Sequence, residues 1–184
     1  MNEEIIANKI LESIKQEKAE QKSVNTKLGI QESVKCGNVK LNYSQFLGYT
    51  KDSNGKLVIV SEEAEIVKKI FELYLEGNGC RKIKKYLENN NIKTVTGKSE
   101  WSTSTIDRML SNEKYIGNVL HQKSYTADFL KGKQVKNQGN MEQIFIENNH
   151  EAIVDLAAFE KVQEMKNQKQ SAGVNNANLI GISL

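Results

Sequence analysis

From Glu3 to about Lys35 the chain runs without a proline and with no glycine before Gly29, in residues that favour helix. The stretch predicts one helix of about 50 Å at 1.5 Å per residue. Ile5, Ile6, Ile10, Leu11 and Ile14 recur at helical spacing and make an apolar stripe, whereas Lys15 to Ser23 is polar on every face. A helix with no apolar face along its middle is held by partners or by its own sequence neighbours. Its apolar start therefore needs a surface that this chain need not contain. Val24, Leu28, Ile30 and Val34 resume an apolar face, and Gly37-Asn38 predicts the helix stop.

After this helix the punctuation becomes dense. Phe46, Leu47 and Tyr49 lead into Ser53-Asn54-Gly55, and Leu57 to Val60 return as a β-rich run, which predicts a hairpin. Ser61, with Glu62 and Glu63 in the first turn, predicts an N-cap. The helix it opens runs to about Glu76, with Ala64, Val67, Ile70, Phe71 and Tyr74 inward, and Gly77-Asn78-Gly79 ends it. Cys80 to Asn89 predicts a short helix with Ile83 and Leu87 inward. A second follows Trp101, with Ile106, Met109 and Leu110 on its inner side and hydroxyl residues at its start. Two short helices joined in this way have the grammar of a helix-turn-helix with an extended turn. Tyr115 to Gln122 predicts a strand, with Gln143 to Glu147 as its partner across a polar loop at 131–140. Asp155 predicts the cap of a helix carrying Leu156, Phe159, Val162 and Met165, and from about Ser171 the Gly- and Asn-rich tail predicts a flexible end.

The 184 residues are 38% apolar, enough for one good core or two small ones. No stretch approaches the ~20 apolar residues of a membrane span, and the start at Met1 shows no export signal. Cys36 and Cys80 form no C-x-x-C pair and have only His121 and His150 to help them, so neither a zinc site nor any other metal is expected. Two thiols in a reducing cytosol are the plain reading, and both histidines are assigned structural roles.

A net charge of +3 does not by itself announce a nucleic-acid partner. Its distribution is more informative. A helix enters the major groove when its leading residues are short enough to reach base edges and its flanks are basic enough to hold phosphates. Ser102, Thr103, Ser104, Thr105 and Arg108 are the base-proximal candidates. Arg81, Lys82, Lys84 and Lys85, Lys93 and Lys98, and Arg108 and Lys114 supply basic flanks, opposed between 81 and 114 only by Glu88, Glu100, Asp107 and Glu113. The plainer alternative is a well-capped helix beside a solvated lysine face. Trp101 is assigned to the core, because a single tryptophan between two helices has apolar area to bury.

The ordered series Tyr43-x-x-Phe46-Leu47-Gly48-Tyr49, Asn54-Gly55-x-Leu57-x-x-Val60-x-x-Glu63-Ala64, Ile70-Phe71-x-x-Tyr74-Leu75-x-Gly77 and Trp101-Ser102-x-Ser104-Thr105-Ile106 resembles the recombinase domain of large serine recombinases, the phage integrases and mobile-element transposases. Asn112-Glu113-Lys114-Tyr115-Ile116-Gly117 and Asn149-His150-x-Ala152-Ile153-Val154, with Phe159 and Val162, continue the likeness, which spans about residues 8 to 165. Glu151 stands where such proteins often carry proline. The resemblance implies that the first helix is the end of a linker helix that leaves a catalytic domain and crosses the DNA backbone. It also implies that the nucleophilic serine lies upstream of everything present, so no serine here is nominated as catalytic, and that zinc belongs only to a longer parent with cysteine pairs.

The expected fold is mainly α with small β-hairpins (α+β). A linker helix at 3–36 leads to a recombinase DNA-binding domain at 38–113, followed by a partial zinc-ribbon-like segment lacking its cysteines at 114–168 and a tail at 169–184. The expected function is sequence-specific binding of double-stranded DNA at a recombination attachment site by a cytoplasmic, bacterial or phage-encoded protein. No cofactor, membrane or small-molecule substrate is expected, and the protein partners are recombinase protomers in the full-length parent. Arg81, Lys82, Lys85, Lys98 and Lys114 are nominated for phosphates, with Asn25, Lys27 and Lys35 for backbone contact from the long helix. The alternatives are a transcriptional regulator with a winged-helix-like reader and a protein-interaction module that dimerises through the long helix.

Overall fold

The computed structural model describes residues 3–35, 46–128, 133–140 and 143–179. The helix stop read at Gly37-Asn38 and the Tyr43 of the first motif lie outside them, as do the side chains of Lys27 and Lys35. The architecture is mainly α with short antiparallel strand pairs, as the sequence predicts. The chain divides into two units, one of residues 1–41 with 120–146 and one of 42–119 with 147–184.

In the first unit, helix α1 spans Glu3–Lys35. Ile5, Ile6, Ile10, Leu11 and Ile14 are 44–54% exposed, so its apolar stripe is not buried. Along its polar middle the helix is braced by its own side chains. Gln16 donates to Glu20 and Gln21 donates to Asn25, both at 3.1 Å and both at i, i+4. Two strand pairs complete this unit. Strand β3 (Val119–His121) pairs with β6 (Ile144–Ile146), and β4 (Ser124–Asp128) pairs antiparallel with β5 (Lys133–Lys136). Of the second pair, β5 lies in the stretch 131–140 that the sequence reads as a polar loop, and β4 lies just before it, beyond the expected strand.

The second unit holds the core. Strands β1 (Tyr49–Lys51) and β2 (Leu57–Ile59) form the expected hairpin. Asp52 Oδ1 closes its turn by accepting from the amides of Asn54 at 2.9 Å and Lys56 at 2.8 Å. Gly48 precedes β1 at φ +95°. A Cβ there would lie 2.6 Å from Ile153 Cδ1, so a side chain would be strained by the backbone conformation and would force the Ile153 side chain to shift. The Gly48 amide donates to Glu63 at 2.8 Å, tying the hairpin to helix α2, Ser61–Leu75.

Ser61 is the first helical residue rather than the cap: Val60 occupies the cap position, and no side chain bonds there. The hairpin supplies the constraint a capping hydroxyl would otherwise give, because Val60 N–H is held by the Gly48 carbonyl at 3.0 Å. Ala64, Val67, Ile70, Phe71 and Tyr74 are buried as the period predicts. Helix α3 follows at Cys80–Asn89 and α4 at Thr103–Leu110.

The strand expected from Tyr115 begins only at Val119. Asn112 caps a 3-10 turn at Glu113–Ile116 by accepting from the Lys114 amide at 3.3 Å, and Gly117 ends the turn at φ +80°. Tyr115 is thereby drawn into the core, where its ring lies 4.9 Å from Phe46. Helix α5, Leu156–Leu179, starts where Asp155 Oδ2 accepts from the Ala157 amide at 3.0 Å. It continues through the stretch from Ser171 that composition reads as a flexible end. Among the described residues no helix is long and apolar enough to cross a membrane.

Candidate nucleic-acid interface

Helix α4 is eight residues long, too short to be stable alone, so its orientation is set by what grips it. Its inner face buries Ile106, Met109 and Leu110. At its N-terminal end stands Trp101, 2% exposed, which confirms its assignment to the core. The indole Nε1–H donates to the Ile92 carbonyl at 2.7 Å, and the Trp101 amide donates to Glu88 Oε1 at 2.9 Å. Ile92 is brought into place by Asn91 at φ 55°, which lets the Ile92 amide close back on the Leu87 carbonyl at 2.9 Å. The end of α3 and the start of α4 are thus joined by part-buried hydrogen bonds to one tryptophan.

The C-terminal end of α4 is held from α5. Gln163 donates to the Leu110 carbonyl at 2.7 Å. Lys166 donates to the Asp107 carbonyl at 3.0 Å and to the Ser111 hydroxyl, and it pairs with the Asp107 carboxylate at 2.6 Å. These carbonyls are among the acceptors that a helix end leaves open. The charge tally at 81–114 also changes, because Asp107 is matched by Lys166 and Glu88 lies 3.6 Å from Lys84, which also meets Glu100 at 3.5 Å. Three of the four opposing acids therefore stand in ion pairs, two of them sharing Lys84, so that Lys84 is itself engaged by carboxylates. Sequence reasoning missed Gln163, Lys166 and Glu88 as the residues that fix α4. Only Glu88 lies close enough in sequence for its partner to have been guessed.

Ser102, Ser104 and Arg108 are exposed, and Thr103 and Thr105 are half-buried. Ser102 occupies the cap position of α4 but makes no capping bond; its hydroxyl pairs with that of Ser104 at 2.7 Å. Arg108 Nε donates to the Ser104 carbonyl at 3.2 Å, one turn back along the helix. Ser102, Thr103, Thr105 and Arg108 line a groove of about 770 Å³ together with Lys98 and Thr94. Lys98 is presented by a tight turn. The Thr94 amide meets the Lys98 carbonyl at 2.8 Å, and the Lys98 amide meets Thr94 Oγ1 at 3.1 Å.

Arg81, Lys82 and Lys85 are exposed on α3, whose buried residues are Ile83 and Leu87. Lys114 is half-buried, its ammonium 5.7 Å from the centre of the Phe46 ring. Its carbonyl accepts from His150 Nε2 at 2.7 Å. Burial pushes the His150 pKa below the usual imidazole value, and the nearby Lys114 charge adds to that shift while the hydrogen bond to the Lys114 carbonyl opposes it. The Glu151 carbonyl accepts from the Tyr49 hydroxyl at 2.7 Å, a bond that needs no proline at that position. Asn25 is exposed on α1, in the other unit, where its side chain accepts from Gln21. Among the described residues no group of three or more His, Cys, Asp or Glu side chains is arranged to hold a metal ion.

Two solved structures share this fold. One is described as the crystal structure of an LSR-DNA complex (TM-score 0.56, 18% identity), with 78% of this chain and 38% of that chain covered. The other comes from work on the sequence requirements of the Listeria innocua prophage attP site (TM-score 0.52, 21% identity), with 78% and 51% covered. The chain thus spans between about a third and a half of the proteins whose fold it shares. The model of the family described as Recombinase matches residues 61–169, from the start of α2 into α5 and across both helices of the candidate interface. With more than half of its 184 residues matched by that model, the chain belongs to the Recombinase family, in keeping with the likeness to large serine recombinases carried by its motifs.

Proposed function

We propose that this chain binds double-stranded DNA at a recombination attachment site, as the non-catalytic, cytoplasmic part of a site-specific serine recombinase whose protomers act together. The observation that carries the reading is the division of α4 into two faces: Ile106, Met109 and Leu110 are buried, while Ser102, Ser104 and Arg108 face solvent beside the groove bordered by Lys98. An α-helix fits the major groove, where short hydroxyl side chains reach base edges and an arginine fork pairs with guanine O6 and N7. Anchoring Arg108 through Nε leaves its terminal nitrogens for such a fork and lowers the entropy lost on binding. Thr103 and Thr105 complete the base-proximal set.

Arg81, Lys82, Lys85, Lys98 and Lys114 hold phosphates, and Asn25, Lys27 and Lys35 contact the backbone from α1. No metal or other cofactor takes part. Strand cleavage needs an activated nucleophile. The hydroxyl of Ser13 donates to a backbone carbonyl and that of Ser102 pairs with Ser104, while Ser111 donates to the Asp107 carbonyl and accepts from the Lys166 ammonium, which is ion-paired with the Asp107 carboxylate.

Selection of duplexes from a random library, followed by binding titrations at several salt concentrations, tests this. An enriched sequence is expected. Arg108→Ala should cost about 1–3 kcal/mol of discrimination at one base pair, and Lys85→Ala or Lys98→Ala should weaken all duplexes alike and flatten the salt slope by about one. A chain that enriches no sequence, or whose α4 variants leave discrimination intact, overturns the assignment.

A further inference from the structure

We infer that the ribbon formed by β4 and β5 is a second duplex-contacting surface, separate from α4 and its groove. Between residues 123 and 136 the sequence holds Lys123, Lys131, Lys133 and Lys136 against Asp128 alone, a local excess equal to the +3 of the entire chain. This stretch forms an antiparallel pair in the register Ser124↔Lys136, Tyr125↔Val135 and Thr126↔Gln134. Exposure alternates along β5 and just beyond it: Gln134 and Lys136 face solvent, Val135 is half-buried and Asn137 is buried. Ser124, across from Lys136, is also exposed. One face of the ribbon therefore offers a hydroxyl, an amide and an ammonium.

Polar ribbons of this kind slip in register unless something pins them. Here Asn137 does so. Its amide donates to the Lys123 carbonyl at 2.8 Å, its side-chain Nδ2 donates to the Gln122 carbonyl at 2.9 Å, and its Oδ1 accepts from the Gly139 amide at 3.1 Å. A buried amide with its donors and acceptor engaged fixes which residues face outward. A two-stranded ribbon has the width of the major groove, and Ser, Gln and Lys are residue types that bond to base edges and phosphates.

The inference rests on the DNA-binding reading above, and its test separates the two. The full chain carrying K136Q is titrated against the selected duplex, with Q134A as a second variant and K136R as the charge-restoring control. With one phosphate contact removed, the affinity lost between 50 and 200 mM salt should shrink by about threefold. A hydroxyl-radical footprint should shorten, and the base discrimination that depends on Arg108 should persist. The arginine should restore both the salt dependence and the footprint, which a variant that merely misfolds would not do. If the salt slope and footprint of K136Q match those of the unmodified chain, the ribbon inference alone falls. Loss of binding to polyglutamate with duplex binding unchanged replaces DNA with an acidic protein partner and also overturns it. A chain that binds no duplex at all overturns both readings.

Discussion

Replacing Lys166 with methionine isolates the grip of α5 on α4. Methionine keeps most of the apolar stem volume and removes the charge and the donors, so the packing part of the interaction is largely preserved. An ammonium has three donors, and this one contacts three acceptors: the Asp107 carboxylate at 2.6 Å, the Asp107 carbonyl at 3.0 Å and the Ser111 hydroxyl. The two side chains of the ion pair sit in different environments, with Lys166 10% exposed and Asp107 56% exposed. After substitution the carboxylate regains water, so the loss stays well below the penalty of a stranded buried charge. It still exceeds a fully exposed pair, because the hydrogen bonds from a desolvated ammonium are lost together.

Taken together, these effects predict that Lys166→Met costs about 2 kcal/mol and Asp107→Asn about 1 kcal/mol or less, with a coupling of about 1 kcal/mol in the double mutant. Urea unfolding at neutral pH measures all four corners of the cycle, and the slope with denaturant should not change. A Lys166→Met chain within about 0.5 kcal/mol of the original, or additivity of the two substitutions, would refute the argument that this lysine fixes the end of α4.

Gly117→Ala should destabilise by more than about 2 kcal/mol in the same assay, because a Cβ at φ +80° would sit 2.5 Å from the His150 carbonyl oxygen. Trp101→Phe strands the Ile92 carbonyl and should cost about 1–3 kcal/mol; base discrimination measured at saturating protein should fall as α4 loses its anchor. His150, with its pKa held below the unfolded value mainly by burial, binds fewer protons folded than unfolded. Its contribution to stability is complete above about pH 6.5 and is lost as pH falls from there toward the lower folded value. Unfolding midpoints compared at pH 7.5 and 5.5 should show that slope shrinking in His150→Asn.

The helical part of the fold was legible because its determinants are local. The spacing of Ala64, Val67, Ile70 and Phe71, of Ile83 and Leu87, and of Ile106, Met109 and Leu110 assigned each inner face correctly. Asp155 reads as a cap and is one. The β4–β5 pair was not legible, because one of its faces is polar and its register depends on Asn137, a residue that in sequence resembles any other loop asparagine. Tyr115 misled for a related reason: its alternation with apolar neighbours suits a strand, but Asn112 and Gly117 fold those residues into a turn. At the candidate interface the exposed side of α4 followed from periodicity alone. The supports did not, since Lys166 meets a partner 59 positions away and no short-range pattern encodes that.

The outward residues of α4 take little part in holding the helix where it is. Apart from the contact of Arg108 with its own helix, the attachments run through Trp101, the buried apolar trio and the two α5 side chains. A helix mounted this way is an interchangeable key-bit on a fixed stem. On the proposed reading, residues 102, 104 and 108 are the ones to exchange for a new target sequence, while the mount stays as it is. Changes to Gln163 or Lys166 alter the angle at which every version of that face is offered.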